Sequence, residues 1–306
     1  MESHVDRLVN QTWEKFQECD GSQRLLIAIS GIPGSGKTTL AACVAHGINN
    51  LFHQDYHTRF PNSPPTSSSR TDPSQPDVAF VVPLDGYHLT RKQLSEMPNA
   101  EEAIFRRGAA FTFDAQSYLG LVMKLRRPIS PETPTIFAPS FDHAVKDPVS
   151  NDIAIPVTAR IVIFEGLYTA LDEDGWRQAH ALMDEIWFVD TDIERATQRV
   201  AKRNFAAGIS SSFEESLART KKSDMRNARH VLDARLHVHE TIPSVEDESW
   251  VSQDLVNVDD ELERKATAKK SGDDDGDYDV DEDSLRKQRM LRMDSIAALA
   301  ADGVGM

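Results

Sequence analysis

Eight consecutive residues, Gly31-Ile32-Pro33-Gly34-Ser35-Gly36-Lys37-Thr38, with Thr39 directly after them, set two glycines five positions apart and follow the second with a lysine and a hydroxyl residue. Glycines in such a run let the backbone curl until several N–H groups point at one spot, which makes a nest for an anion. A helix that starts at the second glycine adds its positive end to the same spot. Lys37 is then placed to reach the β- and γ-phosphates of a nucleoside triphosphate, and the Thr38 hydroxyl to ligate Mg²⁺. A chance glycine-rich turn is the bland alternative. It does not explain why an apolar run precedes the motif and a helical pattern follows it. The motif alone does not separate kinases from GTPases, motors or sulfotransferases. The absence of an N-K-x-D guanine-reading pattern weakens the GTPase option.

Two carboxylates follow apolar runs elsewhere. Asp85 closes VAFVVPLD and is followed by Gly86-Tyr87-His88, and Glu165 closes IVIFE and is followed by Gly166. In an open parallel sheet, ligands bind beyond the carboxyl ends of the strands. A lone Asp after a strand is often only a turn former. Two acids delivered to the edge that holds a phosphate loop suit a different task. Asp85 is expected to orient or deprotonate an accepting hydroxyl, and Glu165, with Asp85 and Thr38, to complete the oxygen shell of a metal ion.

Arg195, Arg199 and Arg203 recur every fourth residue and so share a helix face, with Lys202 beside them. A solvated helix surface has the same pattern. After a fourth strand, such a helix is also where a small-molecule kinase carries a lid, and Arg199 and Arg203 are the expected catalytic cations. Tyr87 and His88 are candidate walls of a substrate pocket, although Tyr87 fits a core equally well. Arg107 either binds an acidic group of the substrate or pairs with Asp114. Asp142 and His143 either bond acceptor hydroxyls or shape a turn. Asn227 either lines the pocket for the nucleotide base or caps a turn.

The elements that must position these residues follow from the apolar pattern. Residues 4–18 have helical spacing, 25–29 form a buried strand, and a helix is expected over 37–47. Residues 54–77 are rich in Pro and Ser and read as a disordered insertion. Further strands are expected at 78–82, 161–164 and 186–189, with a last one near 236–242. Helices are expected around 90–107, 114–126, 192–207 and 212–232. The Pro-rich stretch 128–150 reads as an ordered substrate loop. Strands alternating with helices imply α/β architecture, a mostly parallel sheet covered on both faces. The expected organisation is an N-terminal helix (1–22) packed on one kinase domain (23–243), with a lid and following helix over 192–232 and a largely disordered acidic tail (244–306).

The 306 residues carry a formal net charge of −15, and 18 acidic against 8 basic residues after position 240 supply −10 of it. An acidic chain gains no general attraction to nucleic acid or to anionic membranes, so neither is expected as a partner. Mean hydropathy is low, in keeping with an unfolded portion. The two cysteines, Cys19 and Cys43, make neither a disulfide framework nor a zinc set. No apolar run has the length of a membrane span or signal segment, so a cytoplasmic location is expected, with a nuclear or organellar address left open.

The segments GIPGSGKTTLA (31–41), VPLDGYHL (82–89), RRGAAFTFD (106–114), APSFDHAVKDPV (138–149), IVIFEGLY (161–168), IWFVD (186–190), RVAKRNFAAGI (199–209) and SDMRNA (223–228) resemble, in order, the phosphoribulokinase/uridine kinase family of P-loop kinases, in particular its nucleoside/fructose-kinase-like branch and fungal ATP-dependent kinases. The resemblance covers roughly 25–235. It implies a three-layer P-loop NTPase fold with a helical lid. It also implies that Asp85 contacts the acceptor hydroxyl, that Glu165 is the acid at the end of the third strand, and that Arg199 and Arg203 are lid arginines. His143 departs from the family, which usually has Arg there, and no uridine-specific pattern is clear. Residues and resemblance together lead to the expectation of an ATP- and Mg²⁺-dependent kinase acting on a hydroxyl of a nucleoside, sugar or pantothenate-like metabolite. A nucleotide-switched binding protein or NTPase is the alternative, and the oligomeric state, a homodimer included, stays open.

Overall fold

The computed structural model describes residues 1–59, 77–142 and 144–245. In chain order the elements are α1 (Glu2–Glu18), β1 (Leu25–Gly31), α2 (Lys37–Arg59), β2 (Ala79–Pro83), α3 (Arg91–Ser95), α4 (Ala100–Phe105), α5 (Ala115–Leu125), β3 (Ile136–Asp142), β4 (Asp147–Ile155), β5 (Ile161–Glu165), α6 (Trp176–His180), β6 (Glu185–Asp190), α7 (Ile193–Ala206), α8 (Phe213–Lys222), α9 (Asp224–Asp233) and β7 (Glu240–Pro243). Five strands pair in parallel in the order β2-β5-β1-β6-β7, and β3 and β4 form a separate antiparallel hairpin.

β1 is buried along its whole length, as a central parallel strand requires. Leu25, Ile27 and Ile29 point into one apolar cluster with Leu8 of α1 and Leu40, Val44 and Ile48 of α2. Leu26 and Ala28 point into the other, with Tyr118 and Val122 of α5 and Trp176 of α6. One layer of helices therefore covers each face, which is the three-layer α/β architecture read from the sequence. α1 joins the first layer, and Arg7 donates to the carboxylate of Glu240 on β7 at 2.9 Å.

Several boundaries differ from the expectation. α2 runs through Gly47 to Arg59, so 54–59 is helix and not insertion; 60–76 lies outside the described residues. The continuation is held by Asn49, whose side chain accepts from the amides of Val78 and Ala79 (2.9 and 2.8 Å) and donates to the Ala79 carbonyl (3.0 Å), fixing the start of β2 on α2. The stretch expected as a loop over 128–150 contains β3 and the start of β4. Prolines are compatible with this because the hairpin has only two strands: the register shifts between Ala138 and Ser140, around Pro139, and Pro148 sits opposite Phe141. The single helix expected over 212–232 breaks at Ser223 into α8 and α9. Ser244 and Val245 end the described chain, so the acidic run at 273–283 and the tail expectation lie outside the described residues. Among the described residues no helix is long and apolar enough to cross a membrane.

Candidate active site

The phosphate loop joins β1 to α2. The Ser35 amide donates to the Ile32 carbonyl at 3.1 Å, and Gly34 and Gly36 have φ of +79° and +92°, a region where side-chain-bearing residues are strained. Ile32 turns its side chain into the core, so only its backbone serves the loop, while Thr38 and Thr39 are exposed. The loop rests on α7: a Cβ on Gly34 would lie 2.8 Å from the Ala196 carbonyl oxygen.

Sheet register brings both acids to this edge. Glu165 lies opposite Ile29 of β1 and opposite Pro83 of β2, and Asp85 follows Pro83 by two residues in a single 3-10 turn, Leu84–Tyr87. Glu165 is buried, and its Oε2 accepts from Thr38 Oγ1 at 3.2 Å. Desolvation is the largest influence on Lys37 and lowers its pKa. The charges of Glu165 and Asp85 oppose this, and Arg203 reinforces it. Burial pushes the Glu165 carboxyl up, with Lys37 as the main opposing influence and Asp85 and Arg203 also felt. Lys37, Asp85, Glu165 and Arg203, assigned from four separate segments, are thus one electrostatic centre. Among the described residues neither the Lys37 ammonium nor the Asp85 carboxylate makes a hydrogen bond.

The hydroxyl of Thr38 and the carboxylates of Glu165 and Asp85 are hard oxygen donors, which fits Mg²⁺. No group of three or more His, Cys, Asp or Glu that could by itself hold a metal ion is present among the described residues. Mg²⁺ fits here as well, because it is commonly held by one or two carboxylates together with substrate phosphates.

The hairpin β3–β4 covers the Asp85 turn. A Cβ on Gly86 would lie 2.2 Å from the Pro139 carbonyl oxygen, so only glycine admits this approach. His88 bonds the Asp85 carbonyl through Nδ1 at 2.8 Å and lies between the rings of Phe113 (3.9 Å) and Phe141 (5.1 Å). Tyr87 is core, edge-on to Tyr118 at 5.4 Å, and is not a pocket wall.

The structure gives four other candidates the following partners. Arg107 does not pair with Asp114. It donates to Asp147 Oδ1 (2.7 Å), to the Leu89 carbonyl (3.1 Å) and to the Lys146 carbonyl, and so clamps the hairpin to the Asp85 loop. Asp142 accepts from the amides of Ala144 (2.7 Å) and Val145 (3.1 Å), which makes it the former of the hairpin turn. Arg199 donates to the Gly34 carbonyl (3.2 Å) and to Ser244 Oγ (3.0 Å), so it supports the phosphate loop from behind, whereas Arg203 is exposed and reaches the centre. Asn227 is buried and accepts from Arg106 Nη2 at 2.6 Å. His143 lies outside the described residues. Arg106 and Asp224 escaped the sequence reading. Asp224 is a carboxyl raised by burial and opposed by the charge of Arg203; its position in the quoted SDMRNA segment was the only available signal.

No protein-family model matches the sequence. An ATP-dependent kinase-like protein, notR′, of Aspergillus versicolor is 47% identical over 176 residues, 57% of this chain and 100% of that protein. A provisionally named uridine kinase of Schizosaccharomyces pombe is 34% identical over 229 residues, 75% of this chain and 86% of that protein. Among solved structures, YFH7 of Saccharomyces cerevisiae, a P-loop kinase with a circular permutation, shares the fold with a TM-score of 0.65 at 23% identity, covering 80% of this chain and 99% of that one. A provisionally assigned fructose transport system kinase of Silicibacter sp. gives 0.61 at 26% identity, over 77% and 98% of the two chains. The chain belongs to the uridine kinase-like family of P-loop kinases and is an ATP-dependent phosphotransferase.

Proposed function

We propose that this kinase transfers the γ-phosphoryl group of ATP to a hydroxyl of a small metabolite of the nucleoside, sugar or pantothenate-like kind, with Mg²⁺ as cofactor and in the cytoplasm. The observation that carries the reading is the placement of Asp85. Its carboxylate belongs to the same charged centre as Lys37 and Glu165 and makes no hydrogen bond among the described residues. A nucleotide switch has no need of a free base beside the γ-phosphate.

Phosphoryl transfer is mostly positioning and charge stabilisation. The loop amides and Lys37 bind the β- and γ-phosphates, and Arg203 adds charge where the transferring group becomes most negative. Asp85 accepts the proton of the attacking hydroxyl and aligns its oxygen. His88, through its bond to the Asp85 carbonyl, and the hairpin packed on Gly86 hold that turn in place. Thr38, Glu165 and Asp85 are the residues that would hold Mg²⁺, which when bound supplies charge neutralisation on the phosphate oxygens. The relatives' names point to a nucleoside in one case and to a sugar in another, and the acceptor is drawn from these classes.

A metabolite-library screen with the full chain, ATP and Mg²⁺ tests this, reading ADP formation and the phosphorylated product by mass spectrometry. One acceptor class is expected to accelerate ADP formation with stoichiometric product. ADP formation that is indifferent to every acceptor, with no phosphorylated product, would replace the kinase of metabolites with an NTPase.

A further inference from the structure

We infer that Arg106, with Arg226 beside it, is the receptor for an anionic group on the acceptor, so that the metabolite phosphorylated here carries a carboxylate or a phosphate in addition to its reacting hydroxyl. This rests on the kinase reading above and narrows its substrate class.

Two adjacent arginines leave α4, and the structure treats them oppositely. Arg107 has a carboxylate and two carbonyls as partners. Arg106 is only 7% exposed, yet the one hydrogen-bond partner of its guanidinium among the described residues is the neutral Asn227 Oδ1. Its Nε is buried with no acceptor among the described residues, as is that of Arg107, so the difference between the two lies in the partners of their terminal nitrogens. A guanidinium offers five N–H donors in a fork that matches a carboxylate or phosphate. A buried cation without a counter-charge is costly, and such a cation is kept where a ligand completes it. The other charges nearby do not do so. Burial and the like charge of exposed Arg226 both lower the Arg106 pKa, and Tyr168 and Glu102 only partly oppose them. Arginine nevertheless stays protonated at any physiological pH.

Burial alone is not the criterion. Arg24 is also buried, but it donates to the carbonyls of Ala159 (3.0 Å) and Leu125 (3.5 Å) at the opposite edge of the sheet. It is a brace between elements.

The location of Arg106 ties it to the acceptor and not to ATP. The segment after it runs alongside the Asp85 turn: the Leu89 amide donates to the Thr112 carbonyl and the Asp114 amide to the Tyr87 carbonyl, both at 2.8 Å. The Gly108 carbonyl accepts from Tyr168 Oη at 2.6 Å, three residues beyond Glu165. On its other side stands α9, where Asn227 and Asp224 are three apart and share a face. Asp224 senses the charge of Arg203. Arg106 therefore lies between the loop that carries Asp85 and the helix that faces Arg203, while the phosphates of ATP are served by the glycine loop and Lys37.

Two arms test the inference on the full chain. In the first, the nucleotide site is saturated with Mg·ADP. Phosphate or malonate is then titrated at constant ionic strength, with chloride as control, and the unfolding temperature is read. A saturable rise is expected in the parent with at least one of the two anions and is expected to vanish in Arg106→Gln. An equal response in both proteins, or none in the parent, overturns the receptor. In the second, turnover is compared on matched pairs: pantothenate and panthenol, fructose 6-phosphate and fructose, uridine 5′-monophosphate and uridine. Turnover is expected on a charged member and not its neutral twin, and the identity of that member distinguishes a carboxylate from a phosphate. Arg106→Gln is expected to raise KM about 10- to 100-fold, and Arg106→Lys to fall between. Should Arg106→Gln fail to fold, Asn227→Ala, which removes the anchor of the guanidinium, takes its place in both arms. Turnover on a neutral member with KM unchanged in Arg106→Gln overturns the inference and leaves the kinase reading standing. Arg106-dependent anion binding in an enzyme that hydrolyses ATP regardless of any added acceptor upholds the receptor and counts against the kinase reading.

Discussion

At the edge where the parallel strands begin, Arg126 donates to Asp184 (2.9 Å), to the Arg24 carbonyl (3.1 Å) and to the Leu182 carbonyl (3.0 Å), and Asp184 in turn accepts the Leu26 amide at 2.8 Å. At the edge where the strands end, Lys37 and Asp85 make no hydrogen bond among the described residues, Arg203 is exposed, and Arg106 has one neutral partner. The same sheet thus spends charge on cohesion at one edge and holds charge unsatisfied at the other. Desolvated charge, as at Lys37 and Arg106, is unfavourable for folding, and it is also what a polyanionic ligand needs. Variants at the two edges should therefore separate stability from activity.

Lys37→Ala has the largest expected effect. It should cost at least about 3 kcal/mol of transition-state stabilisation, with an unfolding temperature no lower than the parent's. Steady-state kinetics beside calorimetry checks both halves, and turnover within tenfold of the parent breaks the comparison. Arg126→Ala should do the reverse. It removes one of the donors to Asp184 and the donor to two carbonyls and should lower stability by about 1–3 kcal/mol, read by denaturant unfolding, while kcat of the folded enzyme is unchanged. Arg199→Ala should fall between the two. Loss of the bond to the Gly34 carbonyl loosens the phosphate loop and should weaken nucleotide affinity by about 1 kcal/mol, with a smaller change in kcat, as nucleotide titration would show.

The pH profile sharpens the same contrast. Burial raises the Glu165 pKa, and its ionised form is the one that can bind a metal ion. Activity should be full above that raised pKa and fall as pH drops through it, at a higher pH than an exposed carboxylate would give. Desolvation lowers the Lys37 pKa, and its protonated form is needed, so activity should also fall as pH rises, earlier than for an exposed lysine. The active window of kcat/KM should be narrowed from both sides, whereas a profile set by exposed groups would be wider.

The sequence makes some of this site legible and hides the rest for physical reasons. Phosphate-loop residues are contiguous, and Asp85 and Glu165 each end an apolar run, so strand ends could be counted without a structure. Gly47 misled because glycine usually ends helices. Here it serves close packing: a Cβ would lie 2.6 Å from Val9 Cγ2 of α1, and α2 continues past it. The hairpin was hidden because its prolines read as a loop. Arg106 and Arg107 are indistinguishable by type and neighbourhood. Which one turns inward depends on the last turn of α4 and on partners 40 and 121 positions away, and no local pattern records that. The spacing of Arg199 and Arg203 identified a shared helix face correctly but could not say that one faces the back of the loop and the other the centre.

The most direct test of the central claim is Asp85→Asn, assayed for nucleotide binding and for transfer on one preparation. The substitution keeps the shape of the side chain and removes its charge and basicity. The expected result is affinity for Mg²⁺-free ATP within about twofold of the parent and transfer reduced by about 10²–10⁴-fold, the range for losing a general base. Retained transfer together with lost ATP affinity would contradict the account, since Asp85 would then be a nucleotide-binding or structural residue and the edge would hold no acceptor base.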